Sequence, residues 1–227
     1  DSKMINVGIK KDGISLQEKT YISAEVASKN AESLLWGAMM GPFGGCFSLR
    51  KNLWETIPSH FLVDDFFINM LVLQKGFKSI NEPKAIVYED VSNNLSDEFR
   101  RKIRISSGNF QNLFHYKHLL FDFSWIAFSF FSHKVLRWLA PFFILSMIAI
   151  LPFIIVKENF YFYFSIGIIA CFSFVIIDFL LKLLKVNIRF LRFLTHFTVM
   201  NAALFIGFLN YIQGVKSSIW EPTKRNQ

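Results

Sequence analysis

The chain has 227 residues, a length typical of one or two domains. Apolar residues make up 52% of it and charged residues only 19%, against roughly 25% in ordinary soluble domains, which excludes a disordered chain and indicates a membrane protein. Two cysteines exclude a disulfide scaffold. Most of the net charge of +8 lies in the apolar half, which is typical of membrane-flanking charge and argues against a nucleic-acid-binding surface.

Residues 1–114 have the mixed pattern of an α/β domain. Apolar spacing and the positions of glycine and proline predict its elements. The predicted helices are 18–36, 64–74 and 99–114, the predicted strands are 46–50 and the pair 79–80 and 85–88 around a turn at 81–83, and a glycine-rich break covers 37–45.

The second half contains an aromatic segment and three long apolar runs. The segment 115–135 is short and flanked by lysines, which favours an interfacial helix. The runs each approach the roughly 20 residues of a membrane-spanning helix. Basic loops are expected on the cytosolic side of the membrane. This rule predicts spans at about 137–156 and 160–181, with 190–213 interfacial or re-entrant and 214–227 a cytosolic tail. A third plain span at 190–213 stays open as an alternative.

Asp178 is an acidic residue inside the second apolar run. Such a residue is a functional candidate by default. Lys182 follows it by one helical turn, so we favour a structural ion pair between the two side chains.

Two acidic residues, Asp64 and Asp65, open the predicted helix 64–74 after an apolar approach. The simplest interpretation is electrostatic, because acids are favoured at helix N-termini. The functional alternative is a general base that takes a proton from a sugar hydroxyl as that hydroxyl attacks.

Basic residues form two further candidate sites. Arg101 and Arg104 could face anionic lipid or clamp a diphosphate leaving group, for which the planar donors of arginine are suited. Trp220, Thr223 and Arg225 could belong to a solvated tail or could close over a phosphate-bearing ligand.

The order of these motifs resembles the C-terminal half of processive, membrane-embedded family 2 glycosyltransferases, which include cellulose, chitin, hyaluronan and poly-N-acetylglucosamine synthases. The resemblance runs from about residue 13 to residue 225. The motifs that carry it are Phe43-Gly44-Gly45-Cys46, Asp64-Asp65, Gly76-Phe77, Ala85 to Glu89, Arg101-x-x-Arg104 and Trp220-x-x-Thr223-x-Arg225. It implies the C-terminal part of a cytosolic GT-A domain, followed by interfacial and transmembrane helices at the bacterial inner membrane.

The resemblance also implies roles for individual residues. Asp65 matches the base of an inverting transfer and Asp64 the acid before it. Arg101 and Arg104 match a motif that contacts the donor diphosphate. The remaining matches are the acceptor-binding residues Phe43, Gly44, Gly45, Cys46 and Ile105, and the gating-loop residues Trp220, Thr223 and Arg225 over the donor nucleotide.

The implied partners are a nucleotide-sugar donor, such as a UDP-sugar, and a growing polysaccharide or lipid-linked acceptor. A divalent metal, Mg or Mn, is implied as well. Residues 1–40 contain no Asp-x-Asp, so we expect the metal to be bound mainly by an N-terminal half, and this chain to be a fragment that is inactive alone. Ile105 stands where the family has a tryptophan, which keeps open a single-sugar transferase. A non-catalytic membrane partner subunit is the third alternative.

Overall fold

The computed structural model describes residues 1–8, 15–90, 95–154, 159–184 and 186–215. In chain order they form β1 (Ser2–Val7), α1 (Ser15–Trp36), a 3-10 turn (Lys51–Leu53), α2 (Asp64–Gln74), β2 (Glu82–Asp90), α3 (Leu95–His115), a second 3-10 turn (Lys117–Phe121), α4 (Trp125–Ser129), a π-helical segment (Phe130–Val135), α5 (Leu136–Trp138), α6 (Ala140–Ile154), α7 (Asn159–Leu183) and α8 (Arg189–Ile212). The three helices predicted in the first half are confirmed as α1, α2 and α3.

The strands form a parallel pair, with Met4 opposite Val87 and Asn6 opposite Glu89. Residues 85–88 form a strand as predicted, within β2, but the predicted pairing with 79–80 around a turn at 81–83 is wrong. Ser79 instead forms an isolated parallel bridge with Ala38, and β2 pairs with β1, which the sequence analysis missed. Parallel strands are joined by long crossovers, so no local turn signal marks their pairing.

The predicted strand 46–50 is also wrong. Residues 44–46 form a bend, and residues 47–50 follow it without regular structure. The Cys46 carbonyl accepts hydrogen bonds from the backbone N–H of Ser2 (3.3 Å) and from the Ser2 hydroxyl (2.9 Å). The alternation of Phe47 and Leu49 with polar residues is too short a signal to require a strand partner.

The core lies between α2, α3 and the segment 125–138. α2 is buried along most of its length, and the Phe66 ring packs 5.6 Å from that of Trp138 on α5. The segment 125–138 thus buries one face against the α/β domain. Its other face exposes aromatic rings, among them Trp125 and Phe128. The interfacial role predicted for 115–135 stays a prediction.

Two helices of the described residues, α7 and α8, are long and apolar enough to cross a membrane. A third crossing is available if α6 and the segment 125–138, which meet at a 54° bend, are counted as one span. The predicted span 137–156 is thus divided at this bend. The segment 190–213, predicted as interfacial or re-entrant, meets the length and composition of a span.

α8 packs along α3 at close range. The hydroxyls of Ser106 and Ser107 donate to the carbonyls of Leu204 (2.9 Å) and Gly207 (3.0 Å). A Cβ on Gly207 would lie 2.4 Å from the Cβ of Ser106, so only glycine permits this approach. The apolar half of the chain is therefore joined to the α/β domain through α3.

α7 and α8 are joined by a buried ion pair. Asp178 Oδ2 lies 3.2 Å from Nη1 of Arg192 and accepts a 2.7 Å hydrogen bond from the hydroxyl of Thr195. The predicted pair with Lys182 is wrong, because Lys182 is exposed while Asp178 is turned toward α8. A tertiary partner has replaced the one available within the helix.

Candidate active site

The centre of the candidate site is the start of α2. Asp64 is exposed, and its Oδ1 accepts a hydrogen bond from the backbone N–H of Asp65 (3.0 Å). Asp65 is half-buried, and its Oδ1 accepts from the N–H of Phe66 (2.7 Å). Both acids therefore satisfy N–H groups that a helix start leaves without intrahelical partners. The second oxygen of Asp65 is directed at Gly44, where a Cβ would lie only 2.7 Å away.

α3 fixes the chain that leads into these acids. The amide side chain of Gln111 accepts from the N–H of Leu62 (3.0 Å) and donates to the carbonyl of His60 (2.8 Å). Asn112 donates to the carbonyl of Val63 (3.1 Å). The α2 start is thus held from behind by buried amide groups, which orients the acids.

The protonation of Asp65 is shifted toward the neutral form. Burial raises the pKa of Asp65 above its ordinary value of 3.8, and the charge of Asp64 acts in the same direction. The hydrogen bond from Phe66 and the positive charges of Lys29 and Lys134 oppose this rise. A carboxylate with a raised pKa holds a proton more readily, which suits a group that must accept one during a reaction.

The glycine-rich loop 41–46 lies over Asp65. Gly41 and Gly44 have φ angles of +76° and +77°, a conformation that other residues rarely adopt. The ring of Phe43 lies over the Lys29 ammonium, with Nζ 3.3 Å from the ring centroid, and its N–H donates to Asp1 Oδ2 (3.3 Å). The structure therefore brings Gly44 to Asp65, while Phe43 lies beside Lys29, and Gly45 and Cys46 are exposed on the same loop.

An open cavity of about 950 Å³ adjoins this loop, and Asp65 is part of its wall. Its apolar lining includes Phe47, Leu53 and Phe77, and Arg50 and Lys78 add positive charge. A cavity of this size beside a carboxylate can hold a ligand of several rings.

Arg104 is within electrostatic reach of the two acids. Its Nη1 donates to the carbonyl of Leu62 (3.3 Å), two residues before Asp64. Burial and the charge of Arg101 lower the pKa of Arg104, while Asp64 and Asp65 oppose that effect. A cation and two carboxylates therefore share one end of α2.

A sequence model of a known family, described as Glycosyl transferase family group 2, matches residues 22–210. The match includes the loop 41–46, both acids and Arg104, and it extends into α8. The chain belongs to glycosyl transferase family group 2. It therefore carries a glycosyltransferase domain, whose reaction uses a nucleotide-sugar donor and an acceptor. No curated protein and no solved structure matches the chain.

Other predicted site residues of this glycosyltransferase lie elsewhere. Arg101 pairs with Glu98 (3.0 Å) and approaches Glu18 (3.5 Å), so it belongs to an ion-pair cluster between α1 and α3. Ile105 is half-buried on α3. Trp220, Thr223 and Arg225 lie outside the described residues.

Sequence analysis missed the buried charged face of α1. Its members are Glu18, Glu25, Lys29 and Glu32, all less than 10% exposed. Their spacing of three, four and seven residues places them on one face of a helix, and this spacing was a signal in the sequence. Charged side chains are usually exposed, so the pattern predicted a solvent-facing helix surface and not a buried cluster.

The metal that the resemblance implies does not fit the described residues. Among residues 1–8, 15–90, 95–154, 159–184 and 186–215, no group of three or more His, Cys, Asp and Glu residues is arranged to hold a metal ion.

Proposed function

We propose that this glycosyltransferase transfers a sugar from a UDP-sugar to a growing polysaccharide or lipid-linked acceptor, with Asp65 as the general base. The observation that carries the proposal is the carboxylate of Asp65, which is half-buried at a helix start, has a raised pKa and directs one oxygen at Gly44. Such a perturbed carboxylate beside a cavity is typical of a catalytic site.

The chemistry follows from this placement. Asp65 accepts the proton of an acceptor hydroxyl while the hydroxyl oxygen bonds to the anomeric carbon of the donor sugar. The bond from that carbon to the nucleotide diphosphate breaks on the opposite face, which inverts the configuration. Arg104 supplies positive charge toward the departing diphosphate. The loop 41–46 supports the acceptor sugar, with the ring of Phe43 as an apolar surface.

We assign the contact with the donor diphosphate to Arg104. Arg101, which pairs with Glu98 in the ion-pair cluster, is assigned to the same donor site. We assign the gating role to Trp220, Thr223 and Arg225.

We also propose that the α/β domain lies at the cytosolic face of the bacterial inner membrane. The basic residues Lys182, Arg189 and Arg192 lie around the start of α8, and α8 packs on α3 of that domain. Positive charge marks the cytosolic ends of membrane helices. The acceptor and its product would then be handled beside the membrane.

Replacing Asp65 with Asn tests the base directly. Asp65→Asn keeps the size and the hydrogen bond from Phe66 but cannot take the proton, so we expect transfer to fall by about 10²–10⁴-fold. The matched control is Asp97→Asn, which removes another first-turn aspartate, on α3. Transfer of labelled sugar is measured with the intact protein in membranes. Near-normal transfer by Asp65→Asn would contradict the proposal.

A single-sugar transferase is the second candidate. Ile105 is half-buried on α3, at the position where the resemblance expects an acceptor-stacking tryptophan. An aliphatic side chain provides a weaker surface for a sugar ring. Gel analysis of the labelled product separates the candidates, because a polymer supports the first and one added sugar the second. Ile105→Trp should lengthen the product if stacking is the limiting feature.

A further inference from the structure

The charged face of α1 packs against the π-helical segment and α5. Glu25 is at the centre of the contact, and it accepts hydrogen bonds from Lys134, Arg137 (2.6 Å) and His133. Burial alone would raise the pKa of Glu25, but these three partners hold it well below its usual range. A π-helical turn is uncommon and is frequent at functional sites.

His133 lies between two carboxylates. Its Nδ1 is 2.8 Å from Oε1 of Glu32, and its Nε2 is 3.1 Å from Oε2 of Glu25. A neutral imidazole has one N–H, so one of its nitrogens would face a carboxylate with a lone pair. His133 therefore bridges Glu25 and Glu32, with one ring nitrogen within hydrogen-bond distance of each carboxylate.

Glu32 connects this cluster to the loop over Asp65. Its second oxygen, Oε2, accepts from the backbone N–H of Met40 (3.0 Å). Met40 is fully buried and immediately precedes Gly41, the first residue of the loop 41–46. A side-chain amide from α2 fixes the preceding residue, since Asn69 donates to the carbonyl of Met39 (2.9 Å).

We propose that Glu32 and His133 are positioning residues for glycosyl transfer, which hold the loop 41–46 against Asp65 through the N–H of Met40. This inference rests on the proposed function. His133 orients the Glu32 carboxylate, Glu32 fixes Met40, and the following glycines carry the loop to the oxygen of Asp65. The acceptor site is thereby joined to the segment 125–138, which leads directly into the apolar helices.

Two further contacts fix the same interface one turn beyond Glu32. The indole N–H of Trp36 donates to the hydroxyl of Ser129 (2.7 Å), and the Trp36 ring stacks on that of Trp125 at 5.1 Å. These contacts keep α1 and the segment 125–138 in register, so the position of His133 relative to Glu32 is determined by both helices.

Hydrogen–deuterium exchange of the intact protein in detergent tests the positioning without depending on activity. In Glu32→Ala the Met40 N–H loses its acceptor, so we expect exchange in a peptide covering 38–43 to be about tenfold faster. His133→Gln should change it in the same direction. Glu32→Gln keeps an acceptor oxygen and should restore most of the protection, which guards against a variant that fails to fold.

The matched controls are Glu18→Ala and His196→Gln. Both alter the ion-pair cluster between α1 and α3, where His196 Nε2 lies 3.9 Å from Glu18 Oε2. They should leave exchange in 38–43 unchanged. In transfer assays, Glu32→Ala and His133→Gln should raise the KM for the acceptor several-fold and change kcat less.

The exchange measurements test the positioning role, and the transfer assays test the proposed function separately. Equal exchange in 38–43 for Glu32→Ala, His133→Gln and the controls would overturn the positioning role, even if Asp65→Asn abolishes transfer. If exchange is faster in Glu32→Ala and His133→Gln but Asp65→Asn transfers sugar normally, Glu32 still holds the loop. The proposed link between the loop and catalysis is then overturned.

Discussion

Asp65 faces opposing electrostatic influences. Its position at a helix N-terminus and its contact with Phe66 favour the charged form, whereas burial and Asp64 favour the neutral one. The balance raises its pKa, so Asp65 gains a proton more easily than an exposed aspartate. A purely capping aspartate would show the opposite shift, because hydrogen bonds to the carboxylate lower the pKa.

The contact between Gly44 and Asp65 gives a prediction for a single methyl group. Gly44→Ala places a Cβ 2.7 Å from Asp65 Oδ2, so the carboxylate or the loop must shift. We expect transfer to fall about tenfold or more, since small displacements of catalytic groups are costly. Gly214→Ala is the matched control, with a φ of +85° and no atom within 4 Å of its Cβ. Equal transfer by the two variants at equal thermal stability would contradict the role of the loop.

Part of this site could be predicted from local sequence. Asp64 and Asp65 follow an apolar approach, and the glycines of 41–45 mark a loop, so both features were found. The contact of His133 with Glu32 could not be, because 101 residues separate the two side chains. The contact of Arg101 with Glu18 was likewise hidden, since Glu18 lies on another helix.

At the scale of elements, α3 has two functions. One face holds the start of α2 through Gln111 and Asn112, and another face receives α8 through Ser106 and Ser107. α3 therefore contacts both α8 and the residues that precede Asp64.

Substitution of Gly207 tests the close packing of α3 against α8. Gly207→Ala introduces a Cβ 2.4 Å from that of Ser106, so we expect destabilisation by about 1–3 kcal/mol, seen as a lower Tm in detergent. Gly167→Ala on α7 is the control, because nothing lies within 4 Å of its Cβ. It should be neutral or slightly stabilising, since alanine favours a helix. Equal Tm values for the two variants would contradict the close packing.

The helices of the α/β domain were predictable because their apolar spacing is regular and glycine or proline marks their ends. The strand at 85–88 was found, but β1 and its pairing with β2 were not, because β2 pairs with a strand 75 or more residues earlier and carries Pro83 as its second residue. Its exposed surface also lacks the alternation that sequence analysis requires.

At the scale of the molecule, a buried ion pair fixes α7 to α8. Charges placed in an apolar setting are costly unless paired, so Asp178 and Arg192 depend on each other. The apolar runs could be predicted from the sequence. The ion pair and the bend before α6 could not, because both depend on how the helices pack.

Asp178→Asn leaves the Arg192 guanidinium without its carboxylate. We expect a loss of about 3–5 kcal/mol in stability, measured as a fall in Tm. The double variant Asp178→Leu with Arg192→Leu should recover much of it, because no charge is then left buried. Lys182→Gln is the control and should change little, as Lys182 is exposed. A larger loss of stability in Lys182→Gln than in Asp178→Asn would contradict the pairing with Arg192 and favour the Asp178–Lys182 pair expected from the sequence.

The most direct measurement of the central role of Asp65 is kcat/KM for transfer as a function of pH, in the natural protein and in Asp64→Asn. Because the pKa of Asp65 is raised above 3.8, activity should fall with decreasing pH along an acid limb that lies above this value. Asp64→Asn removes a negative charge that contributes to the rise, so the limb should move to lower pH. An acid limb that is absent, or that is the same in both proteins, would contradict Asp65 as the base.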